Sequence, residues 1–212
     1  MAFHGWPEEA LEFYEGLEAD NTKTYWTAHK HIYDEHVLAP MNELAEELGP
    51  QFGESKIFRP YRDVRFSKDK SPYKTAIGAV IGDIYVQLSA NGLAAGNGMY
   101  GMAPDQLDRY REAVAGNRTG AELTGIVAGV RKHGIDVEGR DKLKRAPQGY
   151  PADHPRIELL RCKGLVAWRE WQPEAWLGTA AAKKRLTDFI VHTSPLGEWL
   201  SANVGPSKLP PR

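Results

Sequence analysis

The strongest constraint on how this chain folds is a change of period in its middle. Residues 7–48, 104–133 and 186–200 place apolar side chains every three or four positions, while residues 56–98 carry short β-branched and aromatic runs broken by Gly, Pro and Asn. The first pattern gives a helix one apolar stripe, and the second reads as short, half-buried strands. Strands grouped between helical ends do not make the strand–helix alternation of a parallel sheet. The expected fold class is therefore α+β, with a central antiparallel sheet flanked by N-terminal and C-terminal helices.

The helices are marked by their termini. Pro7 suits a first helical position, where its missing N–H is no loss, and Glu8 and Glu9 favour the positive end of the helix dipole. Ala10, Phe13, Tyr14 and Leu17 form the stripe. A second helix should start near Thr22, with Tyr25, Trp26, His29, Ile32, Tyr33 and Val37 as its apolar face. Pro40 should kink or restart it, and Gly49-Pro50 should end the continuation through Met41, Leu44 and Leu48. Gly82-Asp83 and Asn91-Gly92 are turn dipeptides, so residues 56–98 read as a meander of three or four strands. Four glycines between Gly92 and Gly101 point to a bend, a bulge or a close backbone approach. Helices around Leu107–Val114 and Leu123–Val130 precede an extended segment from Ile135 to Ala146 and a strand at LVAWREW. A last helix carries Leu186, Phe189 and Ile190 and should restart at Ser194-Pro195.

A chain of 212 residues fits one domain of ordinary size. The expectation is a single α+β domain over 1–205 and a disordered tail over 206–212. One cysteine, Cys162, cannot form an internal disulfide, so nothing asks for an oxidising compartment. The N-terminus lacks a basic start and a long apolar run, so no signal peptide is expected. No apolar stretch approaches the roughly 18 residues of a membrane helix. The expected location is cytoplasmic with no membrane partner; the pattern does not encode an oligomeric state.

Net charge is −1, which argues against a bulk nucleic-acid binder. Its distribution is uneven. Residues 1–48 hold eleven Asp and Glu against two Lys, whereas residues 56–74, KIFRPYRDVRFSKDKSPYK, hold seven Lys and Arg against Asp63 and Asp69. Residues 140–163 hold another seven cations, among them Arg140, Lys144 and Arg145. Seven cations in nineteen residues cannot all be buried. They coat a surface, pair internally, or meet an anion. If Phe58 to Phe66 is extended, Arg62 shares a mainly apolar face with Phe58, Pro60, Val64 and Phe66 and demands a partner.

Other chemistry is thinly represented. The glycine-rich stretch has no Gly-Lys-Ser/Thr ending and no dinucleotide-binding spacing. No HExxH or Cys/His cluster is present, so no metal site and no cofactor are expected. His154, beside Asp153 in a loop of the second basic block, is the best histidine for proton transfer, with a plain surface role as the alternative. Cys162 reads as a small core residue. No GxSxG elbow supports Ser67 or Ser71 as a nucleophile.

The run Tyr61-Arg62-Asp63-Val64-Arg65-Phe66-Ser67-Lys68-Asp69-Lys70-Ser71-Pro72-Tyr73-Lys74, preceded by Phe58-Arg59, resembles the signature of a mainly bacterial family known as domain of unknown function 2461. Trp26, the stretch Gly96–Tyr100 and the block Leu143–Pro155 resemble further parts of it, so the likeness spans about residues 7–202. Pro60 departs from the family's usual Phe-Arg-Ile and disfavours a regular central strand there. The family implies no activity; it does imply that the two basic blocks belong to one constellation.

The leading expectation is binding of a phosphorylated or other anionic small ligand in a basic cleft. Arg62, Arg65, Lys68, Lys70 and Lys74 would supply charge, Tyr73 a hydroxyl or stacking face, and Lys144 and Arg145 an opposite wall. One alternative is an enzyme, a hydrolase or transferase, with Asp63 or His154 as general acid or base. Another is a module that binds nucleic acid or protein, whose nucleic-acid form would be steeply salt-dependent.

Overall fold

A computed structural model describes residues 2–65, 67–139 and 141–210. Phe66 and Arg140 of the two basic blocks, and residues 211–212 of the expected tail, lie outside the described residues. The chain divides into two compact units, Met1–Ala95 with Glu170–Asp188, and Gly96–Arg169 with Phe189–Arg212. The architecture is α+β, with a six-stranded antiparallel sheet in the order β1-β2-β3-β4-β6-β5.

The first unit opens with helix α1 (Glu8–Ala19), for which Pro7 is the N-cap and Glu8 and Glu9 supply the first turn. Helix α2 (Lys23–Ile32) is capped by Thr22, whose side chain accepts from Tyr25 N at 3.2 Å. Pro40 does not interrupt the helix. Instead α2 widens into a π-helical turn, Tyr33–Leu38, and runs on into α3 (Ala39–Phe52), with Pro40 in its first turn. The N–H of Ala39 reaches back five residues to Asp34 O. The wider turn makes room for a ring that cannot donate. The expected stop at Gly49-Pro50 is also displaced. Both residues lie inside the last turn of α3, and Gly53, at φ 118°, ends it.

Strands β1 (Ser55–Ile57), β2 (Ala76–Ile81), β3 (Ile84–Ser89) and β4 (Gly92–Met99) follow in a meander. Gly82 and Asp83 link Ile81 to its partner Ile84 in a two-residue turn, with Gly82 at φ 60°. Only glycine takes that angle there without strain. Ile77, Ala79, Ile81, Ile84, Val86 and Leu88 face inward and are buried, together with Met41, Leu44 and Leu48 of α3. The opposite face of β2 and β3 carries Ala76, Gly78, Val80, Tyr85, Gln87 and Ser89 and is mostly half-buried. The 3₁₀ turn Ala175–Gly178 closes on the N-terminus through Trp6 N, which donates to Leu177 O at 2.8 Å.

The second unit holds helices α4 (Pro104–Ala115), α5 (Asn117–Lys132) and the short α6 (Ile157–Leu160). Strand β5 (Asp136–Glu138) is shorter than the extended segment expected from 135 to 146, and pairs with β6 (Leu165–Trp171). Helix α7 (Ala181–Asn203) passes through Pro195 without the expected restart. Beside that proline, Thr193 and Ser194 hydroxyls donate to Phe189 O and Ile190 O at 2.9 and 2.8 Å. Tyr110, Leu123, Leu160, Leu196 and Trp199 are buried here. The glycines of β4 answer a close backbone approach. A Cβ on Gly98, at φ 135°, would lie 2.3 Å from Leu165 O on β6. After α7, Ser207 Oγ and Lys208 N donate to the two oxygens of Asp105, each at 2.8 Å.

Candidate functional site

The basic stretch is an excursion between β1 and β2. Phe58 N donates to Gly78 O at 2.9 Å and carries the ladder one residue past β1. Pro60 has no N–H to continue it, so the segment from Phe58 to Val64 is not a strand, and the alternating-face reading of Arg62 does not apply. The loop narrows to a neck. Tyr61 bridges Tyr73, Arg62 N donates to Pro72 O at 2.9 Å, and Lys74 N donates to Pro60 O at 2.8 Å.

Two aspartates shape the tip. Asp63 accepts from Arg65 N at 3.2 Å and from its guanidinium at 2.9 and 2.6 Å, so both carboxylate oxygens are engaged. Asp69 accepts from Ser71 N at 2.9 Å and Ser71 Oγ at 2.6 Å, and its other oxygen takes Arg62 Nη1. Each is an Asx turn in which the side chain folds the backbone two residues on. The Arg65 side chain and then its N–H hold the Asp63 carboxyl below its usual value. Asp69 is held well below by the Ser71 hydroxyl first and Arg62 second. Asp63 keeps 46% of its side chain exposed and Arg65 77%, so this pair lies in water and contributes little to stability. Lys70 Nζ donates to Val64 O at 3.0 Å.

The neck is anchored on helices α1 and α2. Asn21 Nδ2 donates to Tyr73 O at 3.0 Å, and Tyr73 N donates to Asn21 Oδ1 at 3.1 Å. Trp26 stacks on Tyr73 with ring centroids 4.3 Å apart and planes at 7°. Tyr33 and Tyr61 complete an aromatic cluster, at 4.9 and 6.1 Å from Trp26. Burial, then Asp34 and Tyr61, push the Tyr33 phenol up to about 12.

Beside the neck, on the half-buried face of β2 and β3, lies a cleft of about 490 Å³. Its wall is Phe58, Arg62, Tyr73, Lys74 and Thr75, and its floor includes Gly78, Tyr85 and Gln87. Gly78 gives the Tyr85 ring its room: a Cβ there would meet the Tyr85 hydroxyl at 2.7 Å, and the ring would have to shift. That hydroxyl donates to Gln87 Oε1 at 2.9 Å. Lys74 Nζ stands 5.5 Å from the centre of the Phe58 ring. Among the described residues Lys68 and Lys74 form no ion pair. Of the first-block candidates, Arg62, Tyr73 and Lys74 line the cleft, while Arg65, Lys68 and Lys70 are exposed on the loop and do not. Asn21, Tyr85 and Gln87 were not singled out by sequence. Asn21 acts across 52 positions, and the two strand residues carry no local mark beyond their alternation.

The second block belongs to the second unit. Lys144 and Arg145 are exposed there. His154 Nδ1 accepts from Arg156 N at 3.0 Å and closes the turn before α6. Arg156 caps the end of α4 through Val114 O, Ala115 O and Gly116 O at 2.6, 2.9 and 3.2 Å. Cys162 is buried, its thiol donates to Glu158 O at 3.1 Å, and burial pushes its pKa up, the opposite of a reactive thiolate.

Among the described residues no helix is long and apolar enough to cross a membrane, and no three His, Cys, Asp or Glu side chains converge as metal ligands. Comparison with curated proteins and with solved structures gives no match. A family model described as "Conserved hypothetical protein (DUF2461)" matches residues 9–199, which include the whole cationic loop, the Trp26 anchor and the glycine-rich strand. The chain belongs to this DUF2461 family.

Proposed function

We propose that the cleft beside the cationic loop binds a small phosphorylated or other anionic ligand. One observation carries the reading: its lining includes no carboxylate and two cations, Lys74, which forms no ion pair among the described residues, and Arg62, which turns one nitrogen to Asp69 outside the lining. A volume of about 490 Å³ lies in the range of small-molecule sites. Each charge-assisted hydrogen bond to an anion is worth about 1.5–3 kcal/mol, so two or three offset the ligand's desolvation. The binding reading is preferred to catalysis by Asp63, because a carboxylate held down by its own arginine is a weak base.

The test is thermal unfolding in phosphate, pyrophosphate and sulfate at constant ionic strength, with chloride as reference. Phosphate or pyrophosphate raises the wild-type midpoint, and Lys74→Met or Arg62→Met removes the rise. Lys68→Met, on the exposed loop, leaves it in place. A wild-type midpoint that no anion moves refutes the reading.

A further inference from the structure

The polar groups of the cleft are unbalanced in a way that narrows its ligand. Gln87 is the side-chain amide in the lining, and its oxygen accepts from the Tyr85 hydroxyl at 2.9 Å. This leaves the Gln87 NH₂ as a donor. Arg62 and Lys74 are donors only. The amide oxygen keeps a second lone pair, so the bias of the lining toward donation comes from Arg62, Lys74 and the Gln87 NH₂. Such a site matches a molecule rich in acceptors. The same lining includes three aromatic rings. Those of Phe58 and Tyr85 lie 6.3 Å apart at 35°, in mutual contact, and form one apolar wall, not a slot. Gly78 leaves room for the Tyr85 hydroxyl to lie across β2.

We propose that the ligand is a phosphomonoester bearing an unsaturated ring with hydrogen-bond acceptors on its edge, the chemistry of a nucleoside monophosphate. Lys74 and Arg62 take the phosphate, the Phe58–Tyr85 wall takes the face of the ring, and Gln87 Nε2 donates to the ring edge. Gln87 is then the residue that distinguishes a ring-bearing phosphate from any other. This inference rests on the anion-binding reading above.

The experiment is calorimetric titration of the wild type with inorganic phosphate, ribose 5-phosphate, uridine 5′-monophosphate and adenosine 5′-monophosphate. At least one nucleotide binds about tenfold or more tightly than ribose 5-phosphate, as expected when a stacked ring adds its contribution. Gln87→Leu narrows that advantage to about threefold or less and leaves ribose 5-phosphate unchanged. Gln87→Met, close to the native length, does the same if the leucine variant folds poorly. Lys74→Met weakens all four ligands. If ribose 5-phosphate or phosphate binds as tightly as both nucleotides, the ring assignment is overturned and anion binding stands. If none binds, both are overturned.

Discussion

Asn21 holds Tyr73 by both of its backbone polar groups, its side-chain amide donating to Tyr73 O at 3.0 Å and accepting from Tyr73 N at 3.1 Å. The pair reproduces one rung of a β-ladder between a helix connection and the neck of the cationic loop. Tyr73 is buried and lines the cleft, so the position of the cleft wall depends on this rung.

Asn21→Ala leaves two part-buried backbone groups without partners and should cost about 1–3 kcal/mol in denaturant unfolding. Asn21→Asp retains the acceptor but turns a carboxylate oxygen toward Tyr73 O, and should be no better than alanine. Hydrogen exchange at the Tyr73 amide locates the effect. Protection unchanged in both variants would show that the rung does not hold the neck.

Trp26 covers the other side of the same residue, flat on the Tyr73 ring and 4% exposed. Trp26→Ala should cost about 3–5 kcal/mol, the usual loss for a large buried aromatic. Tyr73→Phe keeps the stack and should change stability by less than about 1 kcal/mol. An alanine variant within about 1 kcal/mol of wild type would refute this role.

How much of this was legible in the sequence follows from range. The stripe of α1 and the turn at Gly82 are set by neighbours within a few positions, and local pattern recovers them. The glycines of β4 announced a close approach, but not that its partner is β6, some seventy residues on. Pro40 signalled a disturbed helix, but whether it breaks, kinks or widens depends on what packs around it. The cationic loop was legible as a unit from its charge density, whereas its division into paired tip and cleft wall was not. That division rests on Asp63 and Asp69 reaching two residues along the chain and on Asn21 reaching 52.

Asp69 should give the loop an acid dependence. Its carboxyl is held below the ordinary value by Ser71 and Arg62 in the fold, while in the unfolded chain it titrates near about 4. A depressed folded pKa contributes stability that is fully present above the unfolded value and is lost as pH falls through the folded one. The loop should therefore stay ordered at neutral pH and loosen only on acidification below about 4. Carbon-detected NMR should place the Asp69 carboxyl transition below the ordinary aspartate range, and Ser71→Ala should raise it. An Asp69 transition at the ordinary value would remove the Asx turn as the organiser of the tip.

Glycine substitutions separate the positions that need the residue from those that merely contain it. Gly125 and Gly129 lie within α5 with nothing inside 4 Å of an added Cβ. Alanine at either should stabilise by roughly 0.5–1 kcal/mol, since glycine loses more backbone freedom in a helix. Gly98 is the reverse case. Its φ of 135° excludes an ordinary side chain, and the Leu165 carbonyl 2.3 Å from the added Cβ is backbone that cannot rotate away. Gly98→Ala should cost more than about 2 kcal/mol. Urea midpoints of the three single variants decide the matter. Gly98→Ala unfolding at the wild-type midpoint would show that β6 has room to withdraw from β4 there, while destabilised Gly125→Ala and Gly129→Ala would mean that this face of α5 is covered in solution.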